Sequence, residues 1–462
     1  MSDIIIDRKK INAWAMYDWA NSVYTLTITS SIFPIFFENM TVSRDATGKV
    51  ISDYVHLFGF EIRNTSLLSW TFSLSFLLIA LITPLLSGIA DYSGKKKGFM
   101  KFFAFLGATS CSLLYFFNVD AIEIGMILLI LATIGYSGSI VFYNAFLPEI
   151  APPELQDKVS AKGYSLGYLG SVILLIFNLL MIMQPEWFFA IAAKADLIVQ
   201  LEGKSLVDAQ NEARSYYVGQ ATRISFLSVG IWWIGFSLIT FYFLPESRRQ
   251  NKTKKGYLYN GYLELMKVWK SLKNNLILKR FLLSYFTYNM GVQTVMYMAI
   301  TFAKKEISGM PDSGLIISIL IIQLIAIIGA YFFSFLSGKI GNIPALMAAV
   351  AFWILIMFQA YFTYTAVGFY FLAGSVGLVM GGIQSLSRSS YSKLLPQTID
   401  HASYFSFFDI SDKLGIVVGT LIYGIIYAIS GNTRDTLFAL LIFFVFGLYF
   451  LYKIPKKKEI TI

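Results

Sequence analysis

The sequence predicts an all-α polytopic membrane protein with twelve transmembrane helices in two six-helix halves. Three observations support this class. Of the 462 residues, 56% are hydrophobic and only 14% are charged, whereas a soluble domain carries about 25% charged residues. Apolar runs recur along nearly the whole chain, and most are long enough, at about 1.5 Å per residue, to cross a bilayer core. Basic residues cluster in alternate loops between these runs.

Twelve apolar stretches give the predicted helices, six on each side of a long basic connector. The second stretch has no charged residue from 67 to 86, and the third has none from 102 to 117. We therefore expect an N-terminal half at 1–245, a connector at 246–279 and a C-terminal half at 280–462. The predicted spans are 11–37, 67–90, 102–117, 123–146, 160–183, 223–244, 281–302, 314–336, 345–364, 366–390, 404–429 and 437–452.

The distribution of charge predicts the orientation of these spans. An even number of spans places both chain termini on one side, and most of the 37 Lys and Arg residues fall on that side. Because basic loops stay in the cytoplasm, we expect cytoplasmic termini in the inner membrane of a bacterium. On the outer side, 39–63 is predicted to be a hairpin-like or irregular loop, and 185–222 to form one or two helices at the outer surface.

The connector contains its own helical pattern. Its apolar residues recur at helical spacing, and its lysines occupy another face of the same helix. This pattern predicts a short amphipathic helix on the inner leaflet, with a soluble linker helix as the alternative. The apolar positions are Tyr262, Leu265, Met266, Trp269 and Leu272, and the basic positions are Lys267, Lys270 and Lys273.

Composition argues against several other classes of function. The net charge of +10 would suit nucleic acid binding, but the positions of the basic residues indicate membrane orientation instead. Cys111 is the only cysteine, and His56 and His401 are the only histidines, so an internal disulfide is excluded and a histidine-based metal site is disfavoured. The sequence has no nucleotide-binding loop of the Gly-x-x-x-x-Gly-Lys-Ser/Thr type. We expect no cofactor, no metal, no nucleic acid partner and no enzymatic activity.

A short basic turn joins the second and third spans. It reads Gly88-Ile-Ala-Asp-Tyr-Ser-Gly-Lys-Lys-Lys97. It resembles the loop after the second helix of the major facilitator superfamily, roughly Gly-x-x-x-Asp-x-x-Gly-Arg/Lys-Arg/Lys, although Gly88 stands one residue too close to Asp91. A weak repeat of the start of this motif, Leu336-Ser-Gly338, precedes the corresponding turn of the second half, as expected of a fold built from two related halves.

This resemblance implies a role for each residue of the turn. Asp91 would dock near the start of the eleventh helix, because a carboxylate is favoured at a helix N-terminus. Its release would let the two halves rock against each other. Gly88 and Gly94 would keep the turn tight, and Lys95 and Lys96 would anchor it at the lipid headgroups.

Five further motifs narrow the resemblance. They are Tyr17-Asp-Trp-Ala-Asn-Ser22, Tyr143-Asn-Ala-Phe-Leu-Pro-Glu149, Val159-Ser-Ala-Lys-Gly-Tyr-Ser-Leu-Gly-Tyr-Leu-Gly170, Trp232-Trp233 and Gly381-Gly-Ile-Gln-Ser-Leu-Ser-Arg-Ser389. In this order they resemble the vacuole-effluxer-like, autophagy-related branch of the superfamily. Its eukaryotic members are associated with amino acid release from the vacuole. The resemblance implies a transporter, with an amino acid as one candidate substrate.

Polar residues inside the spans are the candidates for the substrate pathway, because a charge at mid-depth costs about 2–3 kcal/mol. Asp18 is either a substrate-amine ligand or proton site, or a structural ion pair. Arg388 either holds a substrate carboxylate or pairs with Asp18 or Asp409 in an inner gate, and we favour the gate. The predicted pathway residues are Asp18, Asn21, Tyr24, Asn144, Asn289, Gln293, Gln384 and Arg388.

The eleventh span carries three charged residues, Asp409, Asp412 and Lys413, which we interpret as gate ion pairs. Asp409 and Lys413 are four residues apart, so they share one helix face. In the seventh span, Met290 occupies a position where relatives usually have aspartate. This departure weakens the case for proton coupling but leaves Asp18 available.

These patterns together predict a monomeric secondary active transporter that works by alternating access in the lipid bilayer. Its solute would be a small organic molecule, for which amino acid efflux is one candidate, and a proton or another ion would drive transport. Two alternatives remain open. One is a lipid or lysolipid flippase, for which the 17% aromatic content would serve acyl contact. The other is a non-transporting membrane receptor or enzyme.

Overall fold

The computed structural model describes residues 7–45, 50–246 and 257–455, which are mostly helical. Two short antiparallel hairpins join the second and third helices, β1 (Ser43–Arg44) with β2 (Val50–Ser52) and β3 (Tyr54–Leu57) with β4 (Phe60–Arg63). The α-helices are α1 (Arg8–Val23), α2 (Ile32–Thr41), α3 (Asn64–Ser93), α4 (Lys96–Leu113), α5 (Ile122–Asn144), α6 (Leu147–Ile150), α7 (Pro153–Met183), α8 (Ile191–Glu202), α9 (Leu206–Phe243), α10 (Tyr257–Asn274), α11 (Leu276–Glu306), α12 (Asp312–Ile340), α13 (Asn342–Tyr361), α14 (Ala366–Leu394), α15 (His401–Ser430) and α16 (Thr436–Tyr452).

Ten helices of the described chain are long and apolar enough to cross a membrane. The two other predicted spans correspond to α1 and to α11. Helix α1 continues directly into a π-helical turn, Tyr24–Thr29, and then into α2. The predicted arrangement of twelve helices in two halves is confirmed.

Small residues bring the helices of each half close together. In the first half, α7 packs on α1, and a Cβ added at Gly167 would lie 2.4 Å from the Ser22 Oγ. In the second half, α14 packs on α12, and a Cβ at Gly381 would lie 2.0 Å from the Ala326 carbonyl oxygen. Only glycine permits backbones to approach this closely.

The halves meet along two seams, α7 against α12 and α14, and α3 against α15. We call the side of the bundle where α1 begins and α16 ends the termini side. Hydrogen bonds between the halves run from mid-depth to this side, as described below. The exact domain boundaries at 245 and 280 stay a prediction.

Helix α10 crosses the termini side and packs on α3. The predicted helix therefore forms, but its apolar face divides between two environments. Val268 and Leu272 are buried, whereas Trp269 is 52% exposed. Gly261 lies against Gly88, where a Cβ would come within 2.3 Å of the Gly261 carbonyl oxygen. Gly88 thus lies within α3 and allows α10 to pack closely against it. Its predicted role in tightening the turn is therefore wrong.

The two segments that were predicted to face outward match their predicted structure only in part, and their side of the membrane stays a prediction. Among the described residues of 39–63, the first belong to α2 and most of the others form the strands of the two hairpins. The 185–222 segment forms α8 and the first turns of α9, which pack on each other. Ala195 and Ile198 of α8 are buried there against Ala209 and Ala213 of α9.

Candidate functional site

A cavity of about 220 Å³ lies between the two halves. Helices from both halves line it, and its walls combine charged, amide, hydroxyl and apolar side chains. Of the predicted pathway residues, those that line it are Asp18, Tyr24, Asn144, Asn289, Gln293, Gln384 and Arg388.

Asn21 is the predicted pathway residue that is not part of this lining. It is 1% exposed, and its Nδ2 has no hydrogen-bond partner within the part of the chain that the structure describes. Neighbouring Ser22 lines the cavity in its place. One position of helical phase, about 100° of rotation, separates the two side chains.

An ion pair between the halves lies at the base of the cavity. The Arg388 Nη1 of α14 donates to the Asp18 Oδ2 of α1 at 3.0 Å, and the Tyr143 hydroxyl donates to the same oxygen at 2.8 Å. Asp18 is 5% exposed and Arg388 is 2% exposed. This geometry matches the structural ion pair rather than two separate substrate ligands.

The Arg388 side chain is enclosed by the first half. Its Nε donates to the Ser160 Oγ at 2.9 Å, and its Nη2 donates to the Ser160 carbonyl oxygen at 2.8 Å. The guanidinium carbon lies 4.1 Å from the ring centre of Tyr164 and 4.7 Å from that of Trp14. Cation–π contacts and hydrogen bonds together compensate for burial of the charge.

Close packing of α7 makes room for this pair. A Cβ added at Gly163 would lie 2.4 Å from the Asp18 Oδ2 and 2.8 Å from the Arg388 Nη2. Position 163 therefore requires glycine while the pair is formed.

A second charged cluster lies on α15. The Lys413 Nζ lies 2.7 Å from the Asp412 Oδ2 and 3.5 Å from the Asp409 Oδ1. All three residues line the cavity. The predicted ion pairs form, but both lie within the second half, so neither joins the two halves. The pair that joins the halves in the cavity is Asp18–Arg388.

Helix α11 supplies amide donors to this cluster. The Asp412 Oδ1 accepts from the Asn289 Nδ2 at 2.7 Å and from the Gln293 Nε2 at 3.0 Å. Met290 is buried and is not part of the cavity lining. The carboxylate that faces α11 is thus provided by Asp412, and the side chain at position 290 points elsewhere.

Two tyrosine hydroxyls form hydrogen bonds elsewhere in the cavity lining. The Tyr168 hydroxyl of α7 donates to the Gln384 Oε1 of α14 at 2.6 Å, which joins the halves at mid-depth. The Tyr24 hydroxyl lies 2.7 Å from the Thr133 Oγ1 of α5, within the first half.

On the termini side, Asp91 contacts the N-terminus of α15. Its Oδ1 and Oδ2 accept from the backbone N–H groups of Ala402 at 3.2 Å and Ser403 at 2.7 Å. These N–H groups have no partner within the helix. The contact is the one that the superfamily resemblance implies. Gly94 ends α3 with φ +67, a conformation that favours glycine.

One of the two predicted anchor lysines of the turn differs from the prediction. Lys95 is exposed, but Lys96 is 1% exposed and pairs with Glu149. Glu149 also contacts the His401 Nδ1 at 2.9 Å, across the seam. The prediction that Lys96 anchors at the headgroups is therefore wrong, because the half-buried Glu149 carboxylate binds its ammonium group.

One further contact between the halves was not predicted. The Asp157 carboxylate at the start of α7 accepts from the Ser337 Oγ at 2.8 Å, the Asn342 Nδ2 at 2.8 Å and the Lys393 Nζ at 2.6 Å. It lies where the second-half turn meets the first half, and so it mirrors the Asp91 contact. The signal in the sequence that could have indicated this contact was an acidic residue just before the apolar stretch that begins at 160.

Within the described residues, no group of three or more His, Cys, Asp or Glu side chains could hold a metal ion. The chemistry that the cavity offers is binding by charge and hydrogen bonds, with a gate that is closed on the termini side.

The sequence model of the family described as "Vacuole effluxer Atg22 like" matches residues 6–461. Over 450 residues the chain is 29% identical to an uncharacterized MFS-type transporter, YxiO, of Bacillus subtilis, covering 97% of this chain and 95% of that protein. It is 23% identical over 580 residues to autophagy-related protein 22-1 of Penicillium rubens, covering 98% and 91% of the two chains.

Solved structures show the same fold. The major facilitator transporter FucP in its outward conformation matches with a TM-score of 0.68 at 13% identity, covering 98% of this chain and 99% of FucP. The proton:xylose symporter XylE matches with a TM-score of 0.66 at 15% identity, covering 97% and 94%.

Proposed function

The chain belongs to the Atg22-like vacuole effluxer family of major facilitator transporters, and from this premise we propose that it carries a small zwitterionic solute of the amino acid class. That it is a multi-pass transporter of this superfamily, and not an enzyme, follows from its relatives. The substrate class, the direction of transport and the coupling ion are the content of the proposal.

The observation that carries the proposal is the mixed charge of the cavity between the halves. Lys413 offers a cation and Asp412 offers an anion in one lining. Amide groups of Gln293 and Gln384 add neutral donors and acceptors. A solute with both an ammonium and a carboxylate group finds partners for both in this arrangement.

The size of the cavity supports a small solute. Its volume of about 220 Å³ lies below the range of about 300–1,000 Å³ that holds drug-sized ligands. A lipid would place part of its acyl chains beside these charged and amide groups, where that part gains no hydrophobic contact. This argues against the flippase alternative.

The places where the halves touch support the proposal of alternating access. The cavity is closed on the termini side by the Asp18–Arg388 pair and by the contacts of Asp91 and Asp157. Breaking these contacts together would open that side while the halves rock around the solute. We place the termini side in the cytoplasm of the cell membrane, because the basic loops lie there. The proposed direction is export, with a proton or another ion as the coupling species.

The first test is a thermal-shift screen of the purified full chain. Amino acids, sugars, nucleosides and lysolipids are added separately, and binding to the folded state raises the melting temperature by mass action. We expect one group of amino acids to raise it. Stabilisation by sugars, nucleosides or lysolipids alone would contradict the proposed solute class.

Two matched variants test whether the amino acid that raises the melting temperature binds in the cavity. Gln323 lines the cavity, and its Oε1 has no hydrogen-bond partner among the described residues. Gln323→Leu should weaken the amino acid shift without lowering the basal melting temperature. Gln359→Leu, on α13 away from the cavity lining, should leave the shift unchanged. Equal loss in both variants would place binding outside the cavity.

A further inference from the structure

Asp409 is a buried carboxylate, and one of its oxygens accepts no hydrogen bond from the described residues. The residue is 5% exposed. Its Oδ1 lies 3.5 Å from the Lys413 Nζ, but its Oδ2 is buried and has no hydrogen-bond partner among the residues that the structure describes. An ionised carboxylate in this position would leave a charged oxygen without solvation, which is costly.

The charges that line the cavity do not balance. Asp18 and Arg388 neutralise each other, and the Asp18 Oδ2 and all three Arg388 nitrogens make hydrogen bonds. On α15, one lysine faces two aspartates. Asp412 takes the shorter contact with Lys413 at 2.7 Å and also receives the α11 amides. Asp409 is therefore the carboxylate whose negative charge is left over.

We propose that Asp409 is the proton-binding site of this transporter, and that its protonation is coupled to closure of the cavity. The step is a simple proton transfer. A hydronium ion on one side of the membrane gives its proton to the Asp409 Oδ2 and leaves as water, and the reverse transfer releases the proton on the other side. The coupling role rests on the proposed transport function, whereas the protonation itself does not.

The geometry favours a proton over a larger cation. Because the Oδ2 is covered by protein atoms, a sodium ion or a substrate ammonium group could reach it only if neighbouring side chains moved. A proton needs no such space. Once Asp409 is neutral, Lys413 and Asp412 form a balanced pair, and the lining carries no net charge. Since burying a net charge is expensive, this state closes more readily than the deprotonated one.

The ionisable groups around Asp409 come from its own helix and from the helices that line the cavity with it. On α15 they are Asp412 and Lys413. Helix α11 brings Tyr285, whose hydroxyl donates to the Asp412 Oδ1 at 3.3 Å. Tyr136 of α5 and Tyr164 of α7 line the same cavity, and α3 contributes the apolar ring of Phe76. Lys413 is thus the cation that opposes protonation, and Asp412 is the anion that favours it.

The test for protonation uses infrared difference spectroscopy on the purified full chain without any solute. A pH step should produce the C=O stretch of a protonated carboxylic acid in the wild-type protein. Asp409→Asn should remove this band, and Asp409→Glu should keep it at a shifted frequency. Asp412→Asn should keep the band but move its titration to lower pH, because the anion that favours protonation of Asp409 is then gone. Absence of the band, or its survival in Asp409→Asn, overturns the proposal. A folded Asp409→Glu protein keeps the test valid if the asparagine variant does not fold.

The test for coupling uses proteoliposomes and a mixture of isotope-labelled standard amino acids, read out by mass spectrometry. A pH gradient should drive net accumulation in the wild type. Asp409→Asn should lose this accumulation and retain exchange of labelled for unlabelled amino acids. Accumulation driven by sodium but not by pH overturns the proposal. If the band is assigned to Asp409 but no amino acid moves, the proposed solute class fails and the proton site stands.

Discussion

The Asp18 carboxylate and the Arg388 guanidinium lie 3.0 Å apart, although they belong to helices of opposite halves. Both are buried. The pair closes the base of the cavity in this conformation. It must separate when the termini side opens, so each charge then needs water or another partner.

Loss of one partner should destabilise the closed protein more than loss of both. Arg388→Ala leaves the Asp18 charge buried without its cation, and we expect a loss of about 3–5 kcal/mol in the free energy of unfolding. The double variant Asp18→Asn with Arg388→Ala should recover part of this loss. Chemical unfolding of the four proteins gives the coupling energy. Independent, additive effects would show that the two groups do not interact.

Arg388→Lys is the informative conservative change. Lysine keeps the charge but cannot donate to Asp18 and to both oxygens of Ser160 in one plane. We expect stability between that of the wild type and that of Arg388→Ala. Full stability in the lysine variant would show that charge alone matters at this position.

Gly163 should be intolerant of a methyl group because of the same pair. The added Cβ would lie 2.4 Å from the Asp18 Oδ2, so Gly163→Ala should cost about 1–3 kcal/mol by overpacking. Gly219→Ala is the matched control, because a Cβ in that helical position meets nothing within 4 Å. The control should be neutral or stabilising by about 0.4–1 kcal/mol. Thermal unfolding compares them, and equal effects would contradict the observed packing.

The sequence predicted the helices well because apolar length and charge placement are local properties. It also offered Asp18 and Asp409 as alternative partners of Arg388 in a gate, but it could not choose between them. A separation of 370 positions between Asp18 and Arg388 gives no spacing rule. The superfamily resemblance implied a headgroup contact for Lys96. Its burial depends on Glu149, which lies 53 positions away. Asp157 was missed for the same reason: its partners lie in three elements of the other half.

The Asp91 contact should hold the termini side closed. Asp91→Ala removes a carboxylate that accepts from two backbone N–H groups of α15, and a lost cap costs about 1 kcal/mol. We expect a roughly fivefold larger open population. Asp91→Asn should have a smaller effect, because its amide oxygen can still accept one hydrogen bond.

A buried cysteine reports this opening. Ser392 is 4% exposed near the termini-side end of α14, and its Oγ has no partner among the described residues. In a Cys111→Ser background, Ser392→Cys should react with a water-soluble maleimide in proportion to the open population. Asp120→Ala, in a loop on the opposite side, is the control and should leave the rate unchanged. An unaltered maleimide reaction rate in Asp91→Ala would show that the Asp91 contact does not hold the termini side closed.

Asp157 should act as a second, equivalent latch on the other seam. Asp157→Ala removes three hydrogen bonds and leaves Lys393 without its carboxylate, so the reaction rate of Ser392→Cys should again rise several-fold. If the halves move as rigid bodies, both seams open together, and the two losses add in free energy to within about 0.5 kcal/mol. The rate of the double variant should then approach the product of the single increases. A double variant no faster than the faster single one would mean that each seam opens on its own.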